Sequence, residues 1–303
     1  MTPPSGDQHR IRSGAYDAVV TESGAALRAL RHDGRDLLQG FAEDEQASGG
    51  RGQVLVPWPN RVRDGRWTWQ GVERQLPLSE PARHNASHGL VRWASWRPLD
   101  VADDAVTLGV RLMAQPGWSW TMDLSMTYAL DASDGLTVTA SARNLSDSPA
   151  PFAYGSHPYL TTGSERVDDD VLTLPGARRM LTDDERKLPL GTEPVGETSY
   201  DFRGGARLAD TVLDHAYTDL ARGPDGRAVV ALRSPAGTGV DLWLGEEVRW
   251  VQVYTADDQG DRARTALAVE PCTAPPDALR SGQDLAVVEP GGSFTARWGV
   301  AAR

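Results

Sequence analysis

The sequence predicts a nearly all-β protein, because its apolar residues alternate with polar ones, turn residues separate these stretches, and no sustained helical periodicity appears. Residues 105–114 and 135–142 alternate in this way, which places one face of each strand on a core and the other toward solvent. Clusters of Gly, Pro, Asp and Ser, such as residues 131–135 and 223–226, mark the turns between strands. Many short strands at regular spacing indicate an antiparallel sandwich or barrel.

The predicted strands run along the whole chain. They are residues 16–20, 25–31, 65–69, 105–114, 118–130, 135–142, 227–233, 239–244, 249–254 and 293–300. Residues 161–208 are polar and marked by Pro and Gly, which indicates loops and short strands. Residues 275–279 begin with two prolines and suit one short turn or helix. Because no linker-like composition or internal repeat appears, we expect a polar N-terminal tail over residues 1–14 and one domain over residues 15–303.

The composition argues against several classes of partner. The chain has 303 residues and a formal net charge of -11, whereas binding to a phosphate backbone needs a basic face. The single cysteine, Cys272, cannot form an internal disulfide and is typical of a reducing compartment. The N-terminus lacks a secretory signal pattern, and no apolar run approaches the roughly 20 residues of a membrane helix. We expect a cytoplasmic monomer or homodimer that binds neither nucleic acid nor membrane.

Three of the six histidines stand in loop or strand-end contexts that suit chemistry: His88, His157 and His215. A hydrogen-bonded structural role is the default interpretation of such residues. Functional residues nevertheless concentrate on loops held by a rigid scaffold. Imidazole also has an unperturbed pKa of about 6.5, which suits proton transfer near neutral pH.

Two apolar strands end in polar residues. Residues 54–61, VLVPWPNR, deliver Asn60 and Arg61 at the end of a strand. These side chains either close the strand with a salt bridge or donate hydrogen bonds to ligand oxygens. Residues 267–273 carry Glu270 just before a proline. A buried carboxylate is costly unless it is paired, so Glu270 either meets an arginine or serves as a base.

The spacing of potential ligands and nucleophiles does not predict other kinds of site. The histidines and the cysteine lack the short spacings of metal sites, so we expect no metal. No Gly-x-Ser-x-Gly elbow and no phosphate-binding glycine loop is present. A Ser-His-Asp triad is not excluded by spacing, although nothing in the sequence points to one.

Seven collinear segments together resemble the aldose 1-epimerase (galactose mutarotase) family. They are GQVLVPWPNRVRDGRW at 52–67, SHGLVRWASW at 87–96, FAYGSHPYL at 152–160, LPLGTEPVGETSYDFR at 188–203, VLDHAYTDL at 212–220, WVQVYT at 250–255 and AVEPCTAPPDAL at 268–279. The resemblance covers about residues 15–300 and implies a large antiparallel β-sandwich, the galactose mutarotase-like supersandwich, with very little helix. It also implies an enzyme that interconverts the α and β anomers of a free aldohexose without a cofactor, so that the expected partner is a monosaccharide.

The resemblance assigns roles position by position. The histidine of the family's His-Pro-Tyr segment falls on His157, the implied general acid toward the ring oxygen. The glutamate of its Glu-Pro segment falls on Glu270, the implied general base toward the anomeric hydroxyl. Substrate-binding side chains are implied at Asn60, Arg61, His88, Tyr159, Asp214 and Gln252. One departure is the segment at 80–88, EPARHNASH, where many galactose mutarotases have a glycine-rich segment.

Three alternatives remain on the same kind of fold. An epimerase of hexose 6-phosphates would need clustered Arg or Lys near the site, and Arg63 and Arg66 stand in a strand-and-turn context typical of the surface. A non-catalytic sugar-binding protein need not keep both His157 and Glu270. A carbohydrate-cleaving enzyme would need a second carboxylic acid, a part that Asp214 could formally take.

Ten tryptophans are an unusual feature of the composition. We expect most of them to fill a large core. One or two could stack on a sugar ring, because an aromatic face offers apolar area beside a polar edge.

Overall fold

The computed structural model describes residues 2–303, which contain 27 strands, three short 3-10 helices and one α-helix. The strands of the first half are β1 (Gln8–Ser13), β2 (Tyr16–Thr21), β3 (Leu27–His32), β4 (Arg35–Asp36), β5 (Val54–Leu55), β6 (Arg61–Arg63), β7 (Arg66–Trp69), β8 (Val72–Gln75), β9 (Asn85–Ser87), β10 (Arg97–Val101), β11 (Ala105–Leu112), β12 (Met122–Asp131), β13 (Gly135–Asn144) and β14 (Ala150–Phe152).

The strands of the second half are β15 (Gly155–Ser156), β16 (Tyr159–Leu160), β17 (Val171–Thr173), β18 (Gly176–Thr182), β19 (Pro189–Pro194), β20 (Ala206–Arg207), β21 (Asp214–Leu220), β22 (Ala228–Arg233), β23 (Gly239–Leu244), β24 (Trp250–Tyr254), β25 (Leu267–Cys272), β26 (Ala286–Val288) and β27 (Ser293–Ala302). The 3-10 helices are Pro81–Arg83, Val167–Asp169 and Gly260–Arg262, and helix α1 is Ala278–Ser281.

Two large antiparallel sheets dominate the structure. The larger has nine strands in the order β10-β11-β12-β13-β27-β23-β22-β17-β20. The smaller has eight, in the order β19-β18-β21-β24-β25-β15-β5, with β16 also paired to β25. Strands β1 to β4 form a separate four-stranded sheet. The predicted all-β, antiparallel fold with very little helix is thus confirmed.

The two large sheets share one apolar core. Val138 and Trp298 from the larger sheet belong to the same buried cluster as Val251 and Val269 from the smaller one. Each fully buried apolar side chain of this size contributes about 1.5–3 kcal/mol relative to exposure. The indole N–H of Trp298 donates a 2.7 Å hydrogen bond to the hydroxyl of Tyr154, so this buried donor is satisfied within the core.

The other face of the smaller sheet carries polar residues. Side chains alternate along a strand, so Gln252 points away from Val251, and Glu270 away from Val269. Gln252 and Glu270 stand directly opposite each other in the pairing of β24 with β25, which puts both side chains on one face. This face of the smaller sheet can therefore carry a polar site.

The N-terminal prediction is wrong from Gln8 onward. The expected polar tail over residues 1–14 contains β1, which pairs with β2 from Gln8 opposite Thr21 to Ser13 opposite Tyr16. Ile11 is the one apolar residue of β1 and is buried, while its neighbours are polar. An edge strand with a single apolar anchor carries too little alternation to be recognised from sequence.

Other element boundaries differ in smaller ways. Residues 118–121, predicted to open a long strand, precede β12, which begins at Met122. The short helix expected near residues 275–279 is α1, which starts three residues later at Ala278. Within residues 2–303, no helix has the length and apolar character needed to cross a lipid bilayer.

Candidate active site

A cavity of about 340 Å³ opens over the polar face of the smaller sheet. Six of the eight predicted site residues line it: Asn60, Arg61, His88, His157, Asp214 and Glu270. Two of the eight, Tyr159 and Gln252, do not line it and lie behind cavity residues. The structure thus gathers residues that are up to 210 positions apart in the chain (270 minus 60).

Sheet register brings the strand residues of the site together. Asp214 stands opposite Tyr254, and Gln252 stands opposite Glu270, so their side chains share one face. His157 follows β15, which pairs with β25. The backbone of His157 is fixed on both sides, because its N–H donates to the carbonyl of Gln53 at 3.1 Å and its carbonyl accepts the N–H of Gly52 at 2.9 Å.

The centre of the site is a buried contact between His157 and Glu270, whose Nε2 and Oε1 atoms lie 3.3 Å apart. Burial raises the pKa of Glu270 well above its ordinary value, and the nearby Asp214 adds to the shift. Burial also lowers the pKa of His157 to about 3, with a contribution from Arg51 and Arg92. Both shifts favour the neutral group, so the contact joins an uncharged imidazole and an uncharged carboxyl rather than a fixed ion pair.

Tyr159 supports the ring of His157 from behind. The two rings stack with centroids 5.0 Å apart and an interplanar angle of 10°. The hydroxyl of Tyr159 donates to the carbonyl of Gly49 at 2.8 Å and accepts from Nε2 of Gln259 at 3.0 Å. The guanidinium of Arg51 lies 4.3 Å from the centroid of the same ring. Tyr159 therefore packs against the imidazole behind the cavity lining, whereas the resemblance implied a contact with substrate.

Gly50 packs against the same imidazole, that of His157, from the cavity side. Its φ of +78° lies in the left-handed region, and a Cβ added there would stand 2.6 Å from Cδ2 of His157. Only glycine permits so close an approach without displacing the ring. Sequence reasoning missed this residue, for which the Gly-Gly pair at 49–50 was the available signal.

Arg61 forms a salt bridge at the end of its strand and also lines the cavity. Its Nε and Nη2 atoms donate to Oε2 and Oε1 of Glu80 at 2.8 and 3.0 Å, a bidentate ion pair at the start of β6. The same side chain also lines the cavity. Glu270, by contrast, has no arginine nitrogen within 4.0 Å among residues 2–303, and its charged-residue contact is His157. Glu80 was not predicted and belongs to the segment that departs from the glycine-rich pattern.

Asn60 and His88 are held in a reciprocal backbone arrangement. Both have left-handed φ values, +54° and +60°. The N–H of Asn60 donates to Nδ1 of His88 at 3.2 Å, and the N–H of His88 donates to the carbonyl of Asn60 at 2.8 Å. Burial lowers the pKa of His88 well below its ordinary value, so the ring is neutral. With Nδ1 accepting, the proton of the neutral ring sits on Nε2, which is available as a donor.

Gln252 orients Asp214 from below the cavity floor. Its Nε2 donates to Oδ1 of Asp214 at 2.7 Å. Burial raises the pKa of Asp214, and Arg61 and Lys187 act in the opposite direction. The neighbouring His215 lies outside the cavity lining and contacts Nη1 of Arg179 through its Nε2 at 2.9 Å, which accounts for the last of the three candidate histidines.

A hairpin between β18 and β19 forms another wall and presents Lys187, which has a left-handed φ of +57°. The carboxylate of Asp183 closes the hairpin by accepting the N–H of Arg186. The guanidinium of Arg186 in turn donates to the carbonyls of Arg83 at 2.9 Å and His84 at 2.7 Å. One arginine thus joins two cavity walls that are about 100 residues apart in the chain.

Trp93 is the tryptophan that lines the cavity, and its side chain is 55% exposed. Seven of the other nine are buried: Trp58, Trp67, Trp96, Trp118, Trp120, Trp250 and Trp298. Most of the tryptophans therefore fill the core, as predicted. Across residues 2–303, no group of three or more His, Cys, Asp and Glu side chains is arranged to bind a metal ion.

Comparisons with known proteins identify one family and a curated relative that covers most of the chain. The model of the family described as Aldose 1-epimerase matches residues 7–300. The uncharacterized protein YihR of Escherichia coli (strain K12) is 32% identical over 290 residues, which are 95% of this chain and 90% of that protein.

Solved structures agree on the fold. The GalM/aldose epimerase homologue from C. elegans superposes with a TM-score of 0.85 at 18% identity, covering 98% of each chain. Galactose 1-epimerase from Lactobacillus acidophilus NCFM superposes with a TM-score of 0.77 at 20% identity, covering 96% of this chain and 92% of that one. At these identities the superpositions establish the shared fold.

The lowered pKa of His157 predicts a pH-dependent stability. The folded chain binds this proton less readily than the unfolded chain, so the stabilisation is present above pH 6.5 and is lost as the pH falls toward 3. Between about pH 7.5 and pH 5.5 the wild type should lose about 1 kcal/mol more unfolding free energy than His157→Asn.

Urea unfolding followed by circular dichroism at both pH values measures the difference. Glu270 changes the unfolding free energy with pH in the opposite direction. This change is the same in the wild type and in His157→Asn as long as the carboxyl of Glu270 stays protonated in both folded proteins. If the wild type and the variant lose the same unfolding free energy between the two pH values, His157 has an ordinary pKa in the folded protein.

Proposed function

Because the chain belongs to the aldose 1-epimerase family, we propose that it interconverts the α and β anomers of a free aldohexose, one whose anomeric hydroxyl carries no substituent. The observation that supports this most directly is the buried contact between His157 and Glu270 on the wall of a cavity. The family and the fold support carbohydrate epimerase activity in general. The roles of individual residues are part of the proposal.

In the proposed reaction Glu270 takes the proton of the C1 hydroxyl while His157 gives a proton to the ring oxygen. The bond between C1 and the ring oxygen breaks, and C1 becomes an aldehyde. Rotation about C1–C2 exposes the other face of the aldehyde. The ring then closes with the two residues in exchanged roles, which restores their protons. A positioned acid or base contributes about 10²- to 10⁴-fold to such a step.

Proton counting links this scheme to the pKa shifts of the pair. To open the closed sugar ring, His157 must start as imidazolium and Glu270 as carboxylate. After the ring has opened, His157 is a neutral imidazole and Glu270 is a carboxylic acid. The two distributions hold the same number of protons. Burial favours the neutral distribution, since it raises the pKa of Glu270 and lowers that of His157. The reactive ionic form is therefore the minor form of the buried pair, and proton transfer during ring opening returns the pair to its favoured neutral form.

Four further residues are proposed to hold the sugar ring. Arg61 and the neutral His88 can donate to hydroxyl oxygens, and Asp214 can accept from hydroxyl groups. Asn60 lines the same wall. Gln252 and Tyr159 act indirectly, the first by orienting Asp214 and the second by orienting His157.

A non-catalytic sugar-binding protein, unlike an epimerase, does not need the proton-transfer pair. A protein that only binds sugar gains nothing from burying an acid and a base against each other, because each costs desolvation energy. Anomerisation of a panel of free aldoses, followed by polarimetry or NMR, decides between the two functions. Rates equal to the uncatalysed background for every aldose would support the binding protein.

The setting of the enzyme is also part of the proposal. The single cysteine, which is buried and unpaired, is compatible with a reducing compartment such as the cytoplasm. We propose a cytoplasmic monomer or homodimer whose partner is its monosaccharide substrate.

Removal of either proton-transfer group should abolish most of the activity. His157→Ala and Glu270→Gln should each lower kcat by about 10²- to 10⁴-fold, since each removes one acid–base group. Circular dichroism should show a folded protein in both cases. His9→Ala, in β1 and outside the cavity, is the control and should keep wild-type kcat. Near-normal kcat in Glu270→Gln would rule out its proposed role.

Gly50→Ala should lower kcat without removing any catalytic group. The new methyl group would collide with His157 and move the imidazole, and a misplacement of about 1 Å can cost on the order of 100-fold in rate. Gly71→Ala is a matched control, because Gly71 has the same φ of +78° but nothing within 4 Å of an added Cβ. If both variants lose kcat equally, backbone strain and not the imidazole is responsible.

Arg61→Ala should mainly weaken substrate binding. The KM should rise by about 10-fold or more, because a charge-assisted hydrogen bond is lost from the cavity wall. Arg66→Ala, an exposed position in β7, tests the general effect of removing an arginine nearby. An unchanged KM in Arg61→Ala would contradict the proposed contact with sugar hydroxyls.

A further inference from the structure

Arg51 is a buried cation that lies behind the cavity lining and has no acidic partner. Its side chain is 1% exposed and does not line the cavity. Nη1 donates to the carbonyl of Ser48 at 3.0 Å and to Oε1 of Gln259 at 2.9 Å, and Nη2 donates to Oε1 of Gln39 at 3.0 Å. All three acceptors are neutral, and none of residues 2–303 places a carboxylate oxygen within 4.0 Å of these nitrogens. A charge buried among neutral partners is costly, so its position calls for a reason.

The guanidinium of Arg51 lies against the aromatic ring that supports the imidazole of His157. Its Cζ atom is 4.3 Å from the ring centroid of Tyr159, which is within the range of a cation–π contact. The same ring stacks on His157, with centroids 5.0 Å apart and planes 10° from parallel. Arg51 and His157 therefore share one aromatic neighbour, and a movement of that ring would move the imidazole.

One short stretch of backbone touches all three of these side chains. A Cβ added at Gly49 would stand 2.9 Å from Nη1 of Arg51, and one added at Gly50 would stand 2.6 Å from Cδ2 of His157. The carbonyl of Gly49 accepts the hydroxyl hydrogen of Tyr159 at 2.8 Å. Both glycines have left-handed φ values, +59° and +78°. The backbone thus packs Arg51, Tyr159 and His157 into one unit, here called the stacked unit.

A single amide side chain joins the first two members of the stacked unit. Oε1 of Gln259 accepts from Nη1 of Arg51 at 2.9 Å, and its Nε2 donates to the hydroxyl of Tyr159 at 3.0 Å. Gln259 is half-buried and lies outside the cavity lining. Hydrogen bonds as well as ring contact therefore fix the guanidinium relative to the phenol ring.

We propose that Arg51 is a positioning residue of the epimerase reaction, which holds the imidazole of His157 in its reactive orientation through the ring of Tyr159. The proposal rests on the proposed epimerase function, because the orientation of His157 matters for the reaction only if this residue transfers the proton. Arg51 meets no substrate, since it lies outside the cavity lining. Its effect on the rate comes from geometry, because a misplacement of about 1 Å can cost on the order of 100-fold.

The kinetic test separates positioning from substrate binding. With the free aldose that the wild type anomerises fastest, Arg51→Gln should lower kcat by about 10- to 100-fold and leave KM within about 2-fold, because the cavity lining is unchanged. Arg222→Gln is the matched control. Arg222 likewise donates to neutral oxygens, the carbonyls of Gly226, Leu244, Gly245 and Val248, and lies outside the cavity lining. This variant should lose stability but keep wild-type kcat.

A double-mutant cycle tests whether Arg51 acts through Tyr159. Tyr159→Leu removes the aromatic ring between the guanidinium and the imidazole. In that background Arg51→Gln should lower kcat by no more than about 2-fold, because the route to His157 is already broken. Losses that multiply in the double variant would show that Arg51 acts on the rate by another route, and the proposal would fall.

NMR of the imidazole gives a measurement that needs no turnover. The ring C–H signals of His157 are assigned by their disappearance in His157→Asn. Their positions depend on the stacked ring of Tyr159, so Arg51→Gln should move them at neutral pH, whereas Arg222→Gln should leave them in place.

The outcomes separate this proposal from the epimerase function. If the wild type is active and Arg51→Gln keeps its kcat, or leaves the signals of His157 in place, the positioning role is refuted and the epimerase function stands. If no aldose anomerises above background but the signals move in Arg51→Gln, the contact positions His157 and the epimerase function fails. Absence of both effects overturns both proposals.

A second variant covers the case in which Arg51→Gln does not fold. Gln259→Ala removes the amide that bonds to both Arg51 and Tyr159, at a half-buried loop position. It should lower kcat in the same direction, with KM unchanged. Wild-type kcat in this variant, together with unmoved signals of His157, would overturn the proposal.

Discussion

The burial of the contact between His157 and Glu270 is the constraint on which the rest of the site depends. His157 and Glu270 keep their shifted pKa values only while water is excluded from them, because solvent would stabilise each charged form again. Tyr159 and Gly50 pack against the imidazole of His157, and the sheet register fixes the position of Glu270. The groups are nevertheless placed on a cavity wall, where a ligand can replace water as their surroundings.

Strands and loops contribute differently to the cavity. Strands β21 and β25 supply Asp214 and Glu270, whose mutual positions follow from antiparallel register with β24. Loops supply Arg92 and Lys187 and the left-handed pair of Asn60 and His88. Strand positions are set by many backbone hydrogen bonds, so the proposed proton-transfer chemistry stands on a rigid base. The loop residues can vary without disturbing that base, which suits them to determine which sugar is accepted.

Local sequence patterns predicted the strands well, because period-two alternation is a direct consequence of one buried and one solvated face. They failed at β1, where one buried isoleucine is the whole apolar signal. Seven collinear segments identified six residues that do line the cavity, yet the same resemblance placed Tyr159 and Gln252 there although both stand one layer behind it. Local sequence did not predict Glu80 as a site residue, because its contacts are with Arg61 and Asn85 across the fold and not with its neighbours along the chain.

The order of strands in the larger sheet has a consequence for how the protein is made. Strand β27 lies between β13 and β23 near the middle of that sheet, although a ribosome synthesises it after every other strand described here. Until it emerges, β13 and β23 each present an unpaired edge, and unpaired edges recruit other chains. The larger sheet of the nascent chain therefore stays incomplete until β27 emerges, and the two exposed edges favour aggregation during that interval.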